Sequence, residues 1–500
     1  MQASSSLSGS RRSISRREML KLMGVGVAGA ILAACGPKAT PTPPPEATKA
    51  PTAKPVEPTA KPVTKEVVTI RIPFRDYGPN AEGKGGEALP GVIKEWEQSH
   101  SGFHIENYIM DYGGLPEQQW TERRLVAADG PDLMWGDWID LIEKWMQAGL
   151  VQFYDDYFVL PNPYVPGNKA WIDQIIIKPM KQSNGKTAYL GLDSTTLWFF
   201  TNKKIYAQYK LEKPKMWPDM IEQFKALKKD NIIACAMYHN LAMAAFTSYA
   251  VANQILYEVF KEMTGGVEQQ PIPKQVAKAV KEGKYSITMP QYQDWLRIAS
   301  EWWEYAPEGA FSGSEDQGYQ IFLSGKAATR YTGCWENVNL SKDMPGAAAP
   351  FEYGSFPIPI IPKSMSQFAT EKQARLVFPA GYLVYLIPAY NKGDKLEATM
   401  DFLRFICKPS NLEKLMNQTQ NLVPNVQDAK VKGMEEFTMD PDALFCYFNG
   451  WGNAHINVQA RDAFVRNWQR LLLKEITQKE YTDTMQPLLE QAAEQELASS

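Results

Sequence analysis

Val68, Ile70 and Ile72 alternate with Thr69 and Arg71, a period of two that predicts a first β-strand. Val92, Ile93 and Trp96, set against Lys94, Glu95 and Glu97, then follow the period of an amphipathic helix that Gly102 should end. Residues 131–135 predict a short buried strand. Trp138, Ile142, Trp145 and Met146 continue it with the i, i+4, i+7, i+8 stripe of a helix. Further helices are expected at 218–229, with Pro218 suited to the first helical position, at 294–305 and at 395–407. Trp295, Trp302 and Trp303 fall on one face of the middle one, the spacing of packing residues. Strands alternating with helices imply α/β layers with mostly parallel sheets, which bind ligands at the carboxyl ends of their strands.

The pattern is different before residue 67. Arg16-Arg17 opens a basic stretch followed by the apolar run 22–34, thirteen residues and so about 20 Å of helix, against a hydrocarbon core of about 30 Å. It reads as an export signal of the twin-arginine type, with Met19 where that motif usually carries Phe. Leu32-Ala33-Ala34-Cys35-Gly36 resembles the bacterial lipobox, which implies cleavage before Cys35, acylation of its thiol and residence at the outer face of the cell membrane. Residues 36–66 hold nine prolines and repeat PTAKPV twice. Such a composition cannot bury enough apolar surface to order itself, and as an extended tether it reaches on the order of 95 Å. Gly24-Val25-Gly26-Val27-Ala28-Gly29 matches a dinucleotide fingerprint, but it follows no strand and lies in the signal segment.

Charge and chemistry narrow the classes. The chain carries 53 basic and 56 acidic residues. Removing 1–34, with five basic residues (Arg11, Arg12, Arg16, Arg17, Lys21) and one acidic (Glu18), leaves 48 against 55 and no electrostatic reason to bind nucleic acid. Cys235, Cys334, Cys407 and Cys446 permit three pairings, but a core this large needs no staples and buried free thiols are expected. Four histidines supply a metal site poorly, and Gly102 breaks the helix that would align His100 with His104. No cofactor is implied. Aromatic residues make up 12% of the chain, including 14 Trp.

Six segments stand in order along the folded part: AADGPDLMW at 127–135, LWFFTNKKIY at 197–206, residues 211–220 with Pro214 and Trp217-Pro218, IFLSGKAATRYTGCW at 321–335, YGSFPIP at 353–359 and GYLV at 381–384. Together they resemble the family 1 extracellular solute-binding proteins, the carbohydrate-type receptors of ABC importers. Phe200-Thr201 and Thr329 depart from the family pattern. The resemblance implies a periplasmic-binding-protein type II fold, two α/β lobes joined by a hinge with the ligand cleft between them. Lobe 1 is expected at 67–193 and 365–435, lobe 2 at 194–364 and 436–500. It further implies a monomeric, non-enzymatic receptor that delivers a mono- or oligosaccharide to permease subunits.

A sugar offers an apolar C–H face and a ring of hydroxyls, so it needs flat aromatics and paired polar acceptors. Strand ends and family position select Trp135, Asp137 and Trp138 on one side, although Trp138 also suits the helix stripe, and Trp335 and Glu336 on the other. Arg75, Asp76 and Tyr77 after the first strand, Tyr382 after Gly381, and Trp451 between two glycines complete the expected ligand set. A peptide, polyamine or sugar phosphate would suit the same receptor type. A secreted glycoside-active enzyme or an adhesin lipoprotein is the competing class; no G-x-S-x-G or H-E-x-x-H occurs.

Overall fold

The computed structural model describes residues 67–74, 88–136, 139–179, 181–182, 184–374, 377–378, 383–419, 422–437, 442–448, 450 and 453–498, all within the compact unit Lys65–Ser500. The export signal, Cys35 and the proline-rich stretch lie outside the described residues. No described helix is long and apolar enough to cross a membrane.

The strands are β1 (Val68–Ile72), β2 (Phe103–Asn107), β3 (Met134–Trp135), β4 (Leu190–Gly191), β5 (Asp193–Asn202), β6 (Ile233–Cys235), β7 (Ala327–Gly333), β8 (Tyr353–Phe356), β9 (Val377–Phe378), β10 (Val384–Leu386) and β11 (Val423–Pro424). The first half of the molecule holds the parallel pair β1-β2 and the sheet β3-β10-β4; the second is built on β11-β5-β7-β6, with β8 and β9 also pairing β5. Among these pairings only β1-β2 and β6-β7 are parallel. The expected mostly parallel arrangement is therefore corrected. Short strands return through β10, β7, β8 and β9 in the opposite sense, and an apolar run cannot report the direction of its neighbour.

β5 organises the whole. Its run Leu197-Trp198-Phe199-Phe200 is apolar on both faces because both are covered. Leu197 and Phe199 face the largest apolar cluster, while Trp198 and Phe200 face a second that runs from the first half into Phe322, Ala327 and Leu340 of the second. Phe199 stacks on Phe356 at 4.8 Å and meets Trp302 at 5.2 Å. Trp295, Trp302 and Trp303 are all buried, as their spacing predicts, on the helix Pro290–Trp303. The helix Leu241–Ile255 is enclosed and satisfies its polar residues internally: Thr247 and Ser248 donate to carbonyls four residues back, and Asn253 and Gln254 clamp the backbone at Phe448 and Ile361.

Boundaries move by one to four residues from expectation. Trp217 opens the helix to Lys229, so Pro218 is its second residue; the other two run Pro290–Trp303 and Asp394–Ile406. The first described helix, Ala88–Ser99, stops before Gly102, which leaves His100 just past its end and His104 on β2. All four cysteines are buried and unpaired, and burial pushes the Cys235 and Cys334 thiols up to about 11.

The first half shows why 130–132 reads Gly-Pro-Asp. A Cβ on Gly130 would lie 2.4 Å from Met134 Cε, and the buried Asp132 carboxylate accepts from the Arg71 backbone N–H and from Lys395 Nζ at 3.2 Å. That acid ties β1 to the helix Asp394–Ile406.

Candidate ligand-binding site

The chain passes between the halves at β5, whose first residues pair with β11 (Ser194 with Val423) and β9 (Thr196 with Val377). Buried side chains fix this crossing. Asn425 donates to the Ile177 and Gly191 carbonyls and accepts from Ile177 N–H at 2.7 Å, and Asp193 Oδ1 accepts from Leu383 N–H.

Two sheets deliver strand ends to it. β7 runs antiparallel to β5 with Gly333 opposite Leu197, and Cys334 N–H donates to the Thr196 carbonyl at 2.8 Å. Trp335 therefore emerges beside the crossing. In the first half Trp135 pairs with Tyr385, and Gly136 N–H donates to Val384, the residue after Leu383. Trp135 thus closes β3 against β10, whose neighbour Leu383 is bonded to Asp193 at the start of β5, and Trp335 follows β7 against β5 itself.

Their environments differ. Trp135 is buried, at 9% exposure. Trp335 is half-buried, touches both major clusters and faces Phe246 at 5.7 Å between ring centroids. Its ring folds back over Gly333, where a Cβ would lie 1.8 Å from a ring carbon. Phe246, on the helix that follows β6, was not expected; only the rule that ligands gather after strand ends pointed to that segment. Its carbonyl accepts from the buried Tyr331 hydroxyl.

Glu336 has a partner of its own. Its Oε2 accepts from Arg330 Nε at 3.0 Å and Nη2 at 2.8 Å, with both side chains nearly inaccessible. Glu315 stands 3.9 Å from the same guanidinium; burial raises its pKa, with Arg330 opposing and Glu336 adding to the rise. Glu336 is thus engaged in an internal ion pair directly after Trp335. Arg75, Asp76, Tyr77, Asp137, Trp138, Tyr382 and Trp451 lie outside the described residues. Gly450, just before Trp451, packs on Ala245, beside Phe246.

The fold also assembles a serine, a histidine and an aspartate that are remote in sequence. Ser99 Oγ lies 3.1 Å from His100 Nδ1, and His100 Nε2 lies 3.1 Å from Asp401 Oδ2. His100 Nδ1 is nearer still, 2.8 Å, to the Trp96 carbonyl. A ring nitrogen aimed at a carbonyl oxygen carries a hydrogen and donates, so it is in no position to take the serine proton. Trp96 Nε1 and the Tyr164 hydroxyl also donate to Asp401 Oδ2, which makes the cluster a clasp between helices. No group of three or more metal-ligating side chains occurs among the described residues.

Two α/β halves joined by crossing strands, with strand ends converging on the crossing, define a type II periplasmic binding protein, and solved structures of that fold superpose on the chain. A chitin oligosaccharide binding protein matches with TM-score 0.59 at 16% identity, over 85% of this chain and 99% of its own. A family 1 extracellular solute-binding protein from Bifidobacterium longum subsp. infantis matches with TM-score 0.59 at 15% identity, over 85% and 99%. RafE from Streptococcus pneumoniae in its apo form matches with TM-score 0.59 at 14% identity, over 86% and 98%; RafE has also been solved with raffinose. At such identities the likeness shows the fold. No curated protein sequence matches. The family model described as bacterial extracellular solute-binding protein matches residues 92–444, and the chain belongs to that family.

Proposed function

We propose that this protein is the extracytoplasmic receptor of an ABC importer, closing two lobes on a mono- or oligosaccharide and handing it to the permease without chemical change. The observation that carries this reading is Trp335, a half-buried ring facing Phe246 at the end of β7, beside the strands that join the halves. A flat apolar surface next to a crossing is what the C–H face of a sugar needs. The chitin oligosaccharide and the raffinose bound by two proteins of the same fold support the same class.

The lobes that close are 67–193 with 365–435 and 194–364 with 436–500. Of the ligand set, Trp135 and Trp335 are proposed to stack, with Arg75, Asp76, Tyr77, Asp137, Trp138, Tyr382 and Trp451 lining the cleft; Glu336 acts by holding the start of its helix. Cleavage and acylation at Cys35 anchor a monomer to the membrane, and 36–66 spaces it from the surface. Closure is favoured only by the difference in ligand affinity between closed and open forms.

A thermal-shift screen against mono- and oligosaccharides, amino acids, peptides and polyamines tests this. A bound solute at 1,000 times its Kd stabilises by about 4 kcal/mol. A shift with peptides or amino acids and none with any sugar overturns the substrate class.

A further inference from the structure

Ile272 plays no part in the site. It ends the loop between the helices Tyr257–Met263 and Pro273–Lys281, in the second half, yet its side chain is buried in the third apolar cluster among Leu125, Ile142, Trp145 and Val384 of the first half. Among the described residues of that cluster, it alone comes from the second half. Gln270, Pro271 and Ile272 are buried in succession, which is unusual because loop backbone needs polar partners. Here they are supplied: Ile272 N–H donates to Gln275 Oε1 at 3.0 Å and its carbonyl accepts from Gln275 N–H, while the Gln270 side chain donates to the Cys446 carbonyl. The loop is therefore built to hold its shape.

A second observation places the same surfaces together. Glu496, near the end of the C-terminal helix, has its pKa raised by burial and by Glu143 of the helix Ile139–Gln147, with Lys274 opposing. Helices of both halves thus come within electrostatic reach next to Ile272, without involving β5, β9, β11 or Trp335.

We propose that the Ile272 loop is an interlobe latch: an apolar plug that seats in the first half when the two halves are closed, and so sets how far the empty receptor opens. The role given to closure rests on the receptor reading above. Latch and ligand favour the same closed state, so loosening the plug weakens every ligand by the drop in closed population without touching the cleft. Truncating a buried isoleucine lowers the closed-to-open ratio about tenfold or more.

Small-angle scattering and hydrogen exchange on the ligand-free chain decide it. Ile272→Asp is expected to enlarge the radius of gyration and to speed amide exchange in the helix Ile139–Gln147 about tenfold, with β5 and β7 unchanged. Ile272→Val, which keeps the plug, should match the parent. The latch is overturned if Ile272→Asp leaves radius and exchange unchanged, or if exchange rises evenly through both halves, the signature of a merely structural residue. Neither arm needs a ligand, so a screen that finds no solute would remove the receptor reading and leave this result standing.

Discussion

Replacing Glu336 by Gln deletes one charge from a pair that has almost no access to solvent. The parent carboxylate accepts two guanidinium N–H groups at 3.0 and 2.8 Å, and the side chains of Arg330 and Glu336 are 3% and 6% exposed. Removing one partner of a buried pair costs about 3–5 kcal/mol, because the other charge is left desolvated. Two neighbours offset part of this: Glu315 at 3.9 Å, and the Tyr319 ring 5.8 Å from the guanidinium. The expected loss for Glu336→Gln is therefore about 2–3 kcal/mol, and for Glu336→Leu about 3–4 kcal/mol. The double variant Arg330→Met with Glu336→Leu removes both charges and should recover to within about 1–2 kcal/mol of the parent. Urea denaturation followed by tryptophan fluorescence reads these differences; with a slope of about 3 kcal/mol/M, Glu336→Gln moves the midpoint by nearly 1 M. A Glu336→Gln variant within about 0.5 kcal/mol of the parent, or a double variant as poor as the sum of its singles, refutes the reasoning.

Gly333→Ala forces the Trp335 ring outward by roughly 2 Å to restore ordinary carbon contact, and should cost about 1–3 kcal/mol of stability together with weaker binding of whichever sugar the screen identifies. Trp335→Ala should weaken that sugar about tenfold to a hundredfold by calorimetry and, because the ring packs against both major clusters, should also lower the urea midpoint. Asp132→Ala leaves Lys395 and the Arg71 N–H without their shared acceptor, and a loss of about 2–4 kcal/mol is expected in the same denaturation assay. Burial lowers the imidazoles of His239 and His455 to about 4 and about 3, with Arg461 lowering the latter further. The unfolded chain then binds protons the fold refuses once the pH drops below about 6.5, so stability is full above that pH and falls progressively towards pH 3–4, by on the order of 5 kcal/mol at pH 4 for the two together. Replacing His455 by Leu should remove about half of that acid sensitivity in denaturation curves at pH 4 and 7.

How much was legible in advance depends on what each residue answers to. The tryptophans at 295, 302 and 303 were readable because helix packing repeats within one turn or two, and the repeat is written in adjacent residues. Trp135 and Trp335 were readable as strand-end aromatics, because the end of an apolar run is also local. Glu336 was not: a carboxylate after a tryptophan looks the same whether it faces a cleft or an arginine six residues back, and only the turn out of β7 aims it at Arg330.

The remaining features answer to residues far along the chain. By itself the sequence determined the export signal's pattern, the alternation of elements, the buried thiols and the family blocks, since all follow from short-range composition and spacing. The direction of the strands, the meeting of Ser99 and His100 with Asp401, the pairing of Phe246 with Trp335 and the placing of Ile272 in the opposite half were decided only by the tertiary structure. Each joins segments whose separation in sequence carries no periodic signal. The packing of helices, loops and strands from distant parts of the chain is what brings them together.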